Sequence, residues 1–199
     1  MKSILREQVR RTLASASVSA LHELSLAACR RLIETPEYQR ADVLMIYLST
    51  PREVDTTSLA LRAWSDGKRV LAPQVAWEQR RMQPMEIRSL TSDVREGAMG
   101  IREPNTGRPT AVAEIDLLIV PGLAFDGNGN RLGRGRGFYD RFLAHRDFRG
   151  VACGLAFEMQ VVESVPTEPL DRPVALLVTE ERVRRFEPTA GPAGGAGEA

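Results

Sequence analysis

Hydrophobic residues follow a helical period at the start of the chain and then change to short continuous runs. Residues 2–14 and 19–34 are predicted to form helices, the second beginning after Ser19 as a possible N-cap and ending before Pro36. Five apolar runs follow, each typical of a strand that is covered on both faces. They occupy residues 43–48, 69–73, 115–120, 151–157 and 174–178.

Helical segments separate several of these runs. Residues 57–66 are amphipathic and are followed by Gly67, a residue type that commonly ends a helix, and residues 138–146 form a further candidate helix. Because parallel strands need crossover connections, this alternation predicts an α/β fold. We expect a three-layer, Rossmann-like arrangement: a mostly parallel sheet with helices on both faces. Residues 82–88 would add an antiparallel edge strand.

The length and composition favour one domain with a tail. A chain of 199 residues with 43% hydrophobic content can bury one sizeable core. We expect a single domain over residues 1–188. Residues 189–199 are dominated by glycine and alanine, have almost nothing to bury, and are predicted to form a disordered tail.

The overall charge argues against several classes of partner. The 27 Lys and Arg nearly cancel the 26 Asp and Glu, so no global field draws the chain to nucleic acid or to an anionic membrane. Aromatic residues make up 6%, which disfavours base-stacking platforms, and no run approaches the roughly 20 apolar residues of a membrane span. We expect a monomer that binds small molecules.

Two cysteines far apart, Cys29 and Cys153, fit neither a zinc site nor a disulfide scaffold, so we expect a cytoplasmic protein. The Arg-rich start leaves an organelle transit peptide as an alternative, against which Glu7 argues.

The segment of greatest chemical interest is a glycine-rich loop over residues 121–141. It follows an apolar run and precedes a candidate helix, and the carboxyl end of a parallel strand is where ligands bind. Arg131, Arg134 and Arg136 would repel one another unless an anion lay between them, and phosphate oxygens match their planar donors. The alternative is a solvated loop with scattered charge. The glycines are Gly122, Gly127, Gly129, Gly133, Gly135 and Gly137.

The loop is neither of the two common nucleotide motifs. The spacing of Gly133, Gly135 and Gly137 lacks the third glycine of GxGxxG, and no GK[ST] is present. Many residues also separate the apolar run from Gly133, whereas a Rossmann turn or a Walker loop follows its strand tightly. If the loop binds phosphate, it must do so through a motif other than these two.

The loop resembles the signature of the 5-formyltetrahydrofolate cyclo-ligase family, also called methenyltetrahydrofolate synthetases. The resemblance covers most of the chain and extends to the YLSTPREVDT segment, the GIREP segment and a late pattern of Pro166, Asp171 and Thr179. Within the loop it rests on Pro121, Gly122, Phe125, Asp126, Gly129, Arg131, Leu132, Gly133, Gly135, Gly137, Tyr139, Asp140 and Arg141.

The resemblance implies an enzyme that converts 5-formyltetrahydrofolate and ATP to 5,10-methenyltetrahydrofolate, ADP and phosphate with Mg²⁺. The formyl oxygen is phosphorylated, N10 attacks the activated carbon, and phosphate leaves. Such chemistry needs positioned cations and metal instead of an enzyme nucleophile. His22 and His145 are accordingly expected to be structural or solvated.

The family's site residues carry over onto this chain as expectations. Arg134 and Arg136 would be catalytic, closest to the transferred phosphate or the folate, and would contact both substrates. Asp140 and Asp171 would hold Mg²⁺, although Asp140 could be a helix-start charge and Asp171 a turn residue. The ATP-binding residues would be Lys2, Arg6, Arg131, Leu132, Gly133, Arg134, Gly135, Arg136, Gly137, Phe138 and Tyr139.

Two further segments contribute to the expected site. Lys2 and Arg6 lie four residues apart, on one face of a helix, where the alternative is an exposed basic surface. Glu53 and Leu48 would contact the folate, since a carboxylate can accept two donors from the edge of a pterin. Glu103 and Gln160 also match family positions, but the sequence assigns them no task.

The sequence also departs from the family pattern. Phe138 replaces a frequent tyrosine, Ala175 a frequently acidic residue and Leu170 a frequently polar one, which leaves the detail around Asp171 open. The residues alone also allow a phosphate-binding protein that is not a ligase, such as a sugar-phosphate isomerase or a regulator. It would use the arginine loop only to hold an anion.

Overall fold

A mixed β-sheet organises the fold. The structure, a computed structural model, describes residues 1–97, 100 and 102–187. Within those residues the main sheet has eight strands in the order β12-β11-β10-β7-β1-β2-β3-β6. The strands are β1 Val43–Met45, β2 Arg69–Ala76, β3 Arg81–Ile87, β4 Val94–Glu96, β5 Arg102–Pro104, β6 Arg108–Pro109, β7 Leu117–Val120, β8 Ala124–Phe125, β9 Arg131–Leu132, β10 Val151–Leu155, β11 Leu176–Val178 and β12 Val183–Arg185.

The five central strands of the sheet are parallel. β1 pairs with β2 and β7, and β10 pairs with β7 and β11, all in the parallel sense. These are the five apolar runs of the sequence, so the predicted parallel core is confirmed. Four of the five runs overestimate the strand length, whereas β2 extends three residues beyond its run to Ala76. Residues 43–48 form a strand only to Met45, after which the carbonyl of Tyr47 accepts a hydrogen bond from Thr56 Oγ1.

The outer strands are antiparallel. β12 pairs with β11, β3 with β2, and β6 with β3. The predicted antiparallel strand over residues 82–88 exists as β3, but the expectation that it forms the edge is wrong because β6 lies outside it. No pattern in the sequence predicted β6 or β12, which are short and rich in arginine.

Four of the five α-helices in the described residues lie close to their predicted positions, whereas the short helix Pro36–Arg40 has no counterpart among the predictions. The predicted N-cap of the second helix is wrong: Ser17, not Ser19, caps it, and its side chain accepts from the Ala20 amide. The last helix is shorter than predicted, since the chain turns after Leu143 and brings Phe148 back against Phe142. The helices are α1 Lys2–Ser15, α2 Val18–Ile33, α3 Pro36–Arg40, α4 Thr57–Ser65 and α5 Phe138–Leu143.

Alternate residues of the central strands face two separate layers of core. One layer packs beneath α2 and α4 and also receives Val9 and Leu13 of α1, and the other packs beneath α5. This confirms the predicted three-layer α/β fold and explains why the strand runs are apolar without interruption. The first layer takes Leu44, Val70, Leu117, Cys153 and Leu176 from the strands, and the second takes Val43, Leu71, Leu118, Ala152 and Leu177.

Two further expectations concern the extent of the chain. The single domain over residues 1–188 stays a prediction, and the predicted tail over residues 189–199 lies outside the described residues. Among the residues described, no helix has the length and apolar character needed to cross a membrane.

A buried carboxylate fixes the first half of the glycine-rich loop. Asp126 is 1% exposed, and its Oδ1 accepts from the amides of Asn128 and Asn130 at 2.9 and 3.0 Å. Its Oδ2 accepts from Asn130 Nδ2 and from the Val165 amide, both at 3.0 Å. The four donors come from two segments, so Asp126 joins the loop to the chain that follows β10.

Replacement of Asp126 is expected to destabilise the protein strongly. Asp126→Ala leaves buried donors without an acceptor, which should lower the free energy of unfolding by about 2–4 kcal/mol. Urea denaturation measures this loss. Asp126→Asn, which keeps one oxygen, should restore part of it, and Asp147→Ala at an exposed carboxylate is the control. A loss in Asp126→Ala no larger than in the control would contradict this role.

Candidate active site

One cavity of about 960 Å³ collects all the residues that the sequence predicted for ATP, folate and metal. It opens at the carboxyl ends of β1, β2 and β7, the edge of a parallel sheet where ligands bind. The volume is near the upper limit of ordinary small-molecule sites. Its walls include Lys2, Arg6, Leu48, Glu53, Arg131, Leu132, Gly133, Arg134, Gly135, Arg136, Gly137, Phe138, Tyr139, Asp140 and Asp171.

The cavity is strongly cationic. Among the described residues, eight Lys or Arg side chains and four carboxylates line it, giving a formal charge of +4. The whole chain has a net charge of only +1, so positive charge is concentrated at this edge of the sheet. A polyanionic ligand would relieve the repulsion between these cations.

Glycine conformations shape the second half of the loop. Gly135 and Gly137 have φ values of 95° and 68°, which other residues rarely adopt. Nη1 of Arg141 donates to the carbonyls of Arg136 and Gly137, both at 3.0 Å, and so fastens the end of the loop to the start of α5. The positive φ values that the glycine spacing suggested are therefore present where the loop crosses the cavity.

A buried ion pair fixes one of the candidate metal ligands. Nη2 of Arg131 lies 2.7 Å from Oδ1 of Asp140, and the arginine side chain is 4% exposed. Its guanidinium also lies over the ring of Tyr139 at 5.8 Å. Its Nε has no hydrogen-bond partner among the described residues. Arg131 thus lies behind Asp140 and orients that carboxylate toward the cavity.

The second loop arginine contacts the predicted folate residue directly. Nη2 of Arg134 donates to Oε1 of Glu53 at 2.9 Å and to Oγ1 of Thr50 at 2.7 Å. Oε2 of Glu53 accepts from the amide and the hydroxyl of Thr50, both at 2.9 Å. Arg136 is exposed on the same wall and makes no side-chain hydrogen bond within the described part of the chain. The structure therefore joins the expected phosphate loop to the expected folate site.

The N-terminal helix closes another side of the cavity. Nζ of Lys2 lies 2.6 Å from Asp171 and 3.2 Å from Glu168, and Nε of Arg6 donates to the Gly133 carbonyl at 3.0 Å. Burial lowers the Lys2 pKa, but its hydrogen bonds to the two carboxylates outweigh burial, so the pKa is raised above its usual value. Lys2 therefore stays charged at neutral pH.

Aromatic and apolar side chains form the remaining wall. Trp77, at the tip of the β2–β3 hairpin, meets Phe138 edge to face with ring centroids 5.3 Å apart. Burial, and secondarily the charge of Glu53, raises the pKa of Tyr47 and of Tyr139 well above the usual value. Both phenols therefore remain neutral, and the cavity combines a cationic half with an apolar half.

The two candidate metal carboxylates each keep one oxygen available. The ion pairs engage Oδ1 of Asp140 and Oδ2 of Asp171, whereas the other oxygen of each has no protein donor among the residues described. No cluster of three or more His, Cys, Asp or Glu suited to a metal occurs in the described ranges. Mg²⁺ commonly binds one or two carboxylates and completes its shell with phosphate and water, which this donor set fits.

Several residues lie away from the cavity. Gln160 is buried and donates to the carbonyls of Gly122 and Leu123, so it supports the start of the loop. Glu103 pairs with Arg95 at 3.5 Å outside the cavity wall. His22 and His145 are exposed and do not line the cavity.

Sequence reasoning missed some of the wall. Thr50, Arg102 and Arg172 line the cavity, but the sequence assigned them no role, although Thr50 and Arg102 lie within the YLSTPREVDT and GIREP segments. Trp77 could have been found, because Pro73 and Val75 of β2 and Trp77 just after it are every second residue and all three line the cavity. The predicted strand ended at residue 73, which hid this alternation.

Comparison with known proteins gives the same family. Residues 1–180 match the model of the 5-formyltetrahydrofolate cyclo-ligase family. The chain is 31% identical to the 5-formyltetrahydrofolate cyclo-ligase of Escherichia coli, with 81% of this chain and 90% of the relative covered. It is 28% identical to the mouse enzyme of the same name, over 89% and 92%.

A solved structure agrees with the sequence relatives. The 5,10-methenyltetrahydrofolate synthetase of Aquifex aeolicus superimposes with a TM-score of 0.82 at 33% identity, covering 100% of this chain and 96% of that one. The matched region of the family model includes both the glycine-rich loop and the segment around Glu53. The resemblance found in the sequence is confirmed, and the chain belongs to the 5-formyltetrahydrofolate cyclo-ligase family of enzymes.

Proposed function

We propose that this protein catalyses the ATP-dependent cyclisation of 5-formyltetrahydrofolate to 5,10-methenyltetrahydrofolate. The observation that carries the proposal is the contact between Arg134 of the phosphate loop and Glu53 of the folate wall, inside one cavity. Phosphoryl transfer between two substrates requires their reacting groups to lie side by side. The names of the relatives support the same reaction.

The proposed reaction needs no covalent bond between the substrate and an enzyme side chain. The formyl oxygen attacks the γ-phosphorus of ATP, the bond to ADP breaks, and N10 then attacks the activated formyl carbon. The carbon–oxygen bond breaks with loss of phosphate, and N10 releases its proton. Both cavity tyrosines are neutral and neither histidine lines the cavity, in keeping with a reaction that uses no enzyme nucleophile.

The cationic side chains would hold and neutralise the phosphates. Lys2 and Arg6 approach from α1, and Arg134 and Arg136 from the loop. Cations fixed where charge develops stabilise a phosphoryl transition state without reorganising during the reaction. Arg131 has a different task in this scheme: it is buried against Asp140 and positions that carboxylate.

Asp140 and Asp171 would hold Mg²⁺ together with the phosphates of ATP. When bound, the ion neutralises phosphate charge and orients the leaving group. The carboxylates are prepared for this role by Arg131 and Lys2, which fix one oxygen of each.

The apolar half of the cavity favours a ligase over a simple anion binder. An anion site needs only the arginine loop, whereas the wall formed by Tyr47, Leu48, Trp77 and Phe138 offers a surface for a flat ring system.

Monomeric state and cytoplasmic location stay predictions; both cysteines are buried and free, which suits a reducing compartment.

Formation of the methenyl chromophore is the direct test of the proposed reaction. The purified protein with 5-formyltetrahydrofolate, ATP and Mg²⁺ should show a growing methenyl absorbance, with one ADP released per product. Replacing ATP by ADP should abolish the signal, because no phosphoryl group is then available. A folded protein that forms no chromophore over a range of pH and Mg²⁺ concentrations would disprove the proposed function.

Arg134 is expected to affect turnover far more than stability. Its side chain is half exposed, so Arg134→Ala should lower the free energy of unfolding by less than about 1 kcal/mol. Loss of its charge at the transferred phosphate should lower kcat by on the order of 10²-fold or more. Arg62→Ala removes an arginine with similar exposure and one carboxylate partner outside the cavity, and should leave kcat unchanged.

Arg136→Ala should likewise lower kcat while leaving the melting temperature close to that of the wild type. Parallel losses of melting temperature and turnover in either variant would show a structural role instead.

Asp140 is expected to set the Mg²⁺ dependence. Asp140→Asn keeps an oxygen for Arg131 but removes the charge that attracts the metal. The Mg²⁺ concentration for half-maximal activity should rise about ten-fold or more. Asp147→Asn, at an exposed carboxylate off the cavity, is the matched control. An unchanged Mg²⁺ titration in Asp140→Asn would remove this residue from the metal site.

A further inference from the structure

The C-terminal end of α1 is fastened by an arginine from another part of the chain. The helix ends at Ser15, Ala16 after it has an extended backbone, and the last turn contains no basic residue. Nη1 of Arg52 donates to the carbonyl of Leu13 at 2.7 Å and to that of Ala16 at 3.0 Å. Free carbonyls and the negative end of the helix dipole both favour a cation at this position. Arg52 therefore acts as an external cap.

The other attachments of the helix are apolar packing along its length and two cationic side chains in its first turns. Among residues 2–15, all of which the structure describes, Val9 and Leu13 are buried. Lys2 and Arg6 attach its first turns to Asp171 and to the Gly133 carbonyl, both on the cavity wall. An anion that binds there competes for the same donors. Arg52 does not line the cavity, so its bonds to α1 can persist when a ligand enters.

Arg52 belongs to the same turn as the predicted folate residue. The turn over residues 50–53 is closed by a hydrogen bond from the Glu53 amide to the Thr50 carbonyl at 3.0 Å. The Glu53 side chain folds back on the amide and hydroxyl of Thr50. Neighbouring residues thus point in different directions: Glu53 to the cavity and Arg52 to α1. One short turn therefore holds both a residue of the cavity wall and the cap of α1.

We propose that Arg52 is a positioning residue that couples the binding of the two substrates. Folate bound at Glu53 stabilises the turn over residues 50–53. Because Arg52 of this turn is hydrogen-bonded to the end of α1, the position of α1 is stabilised as well. Lys2 and Arg6 of α1 are then held where they can bind the phosphates. The proposal rests on the proposed function, since it requires the folate and the nucleotide to share the cavity. It predicts that each substrate tightens the binding of the other, because coupling between two sites is reciprocal.

Calorimetric titration of the whole protein tests the coupling without turnover. MgADP and 5-formyltetrahydrofolate cannot react, so the Kd of MgADP can be measured with and without saturating folate. In the wild type, folate should lower this Kd by about five-fold or more. The ratio of the Kd without folate to the Kd with folate should fall towards one in Arg52→Ala. Arg52→Lys, which keeps a cation that can donate to the same carbonyls, should recover part of this ratio.

Arg11→Ala is the matched control. It removes an exposed arginine from α1 whose partner is Glu7 on the same helix and not a residue of the turn over residues 50–53. This variant should keep the wild-type ratio. The KM for ATP should rise in Arg52→Ala at saturating folate with little change in kcat, a split that general destabilisation does not produce.

The outcomes separate this proposal from the proposed function. Wild-type turnover combined with an unchanged ratio in Arg52→Ala would overturn the coupling and leave the reaction intact. A wild-type ratio of one, or an equal loss of the ratio in Arg11→Ala, would also overturn it. Failure of the wild type to form the methenyl product would count against the proposed function itself.

Discussion

Electrostatic repulsion at one edge of the sheet is the constraint on which the site depends. Positive side chains outnumber carboxylates two to one on the described cavity wall, and each of the four carboxylates already pairs with a cation. The pairs do not neutralise the cavity, so the remaining cations favour a ligand with several negative charges. Mutual repulsion between the cationic side chains, and their partial removal from water, both cost free energy. A polyanionic ligand offsets this cost when it binds.

The same ion pairs assemble the site from distant parts of the chain. Lys2 meets Asp171, Glu53 meets Arg134, and Arg131 meets Asp140, so four separate segments converge at the carboxyl edge of the parallel strands. The sheet supplies the rigid support, because its central strands are buried on both faces. The loops that carry the charges are fixed mainly by hydrogen bonds of Asp126, Gln160 and Arg141. Asp126 thus contributes to both stability and site geometry, whereas the half-exposed Arg134 contributes mainly to the site.

The sequence predicted the parts of this structure that depend on local pattern. Continuous apolar runs marked the five central strands, and glycine spacing with arginines marked the loop. The pattern missed β6 and β12, because Arg108–Pro109 and Val183–Arg185 have no apolar period and form strands only by pairing with a neighbour. It also missed Thr50 and Arg172, whose positions on the cavity wall depend on contacts between distant segments. Candidate residues were therefore predictable, whereas their partners were not.

The partners change what each candidate residue can do. From the sequence, Arg131 resembles the other loop arginines, but its buried contact with Asp140 makes it a support for a carboxylate and leaves Arg134 and Arg136 at the cavity. Glu53 appears as an isolated folate acceptor in the sequence, yet one of its oxygens is held by Thr50 and the other by Arg134. In the proposed function, a folate that took the second oxygen would free Arg134 to turn toward phosphate. Substrate entry and preparation of the phosphate site would then be one event, because both use the same guanidinium group.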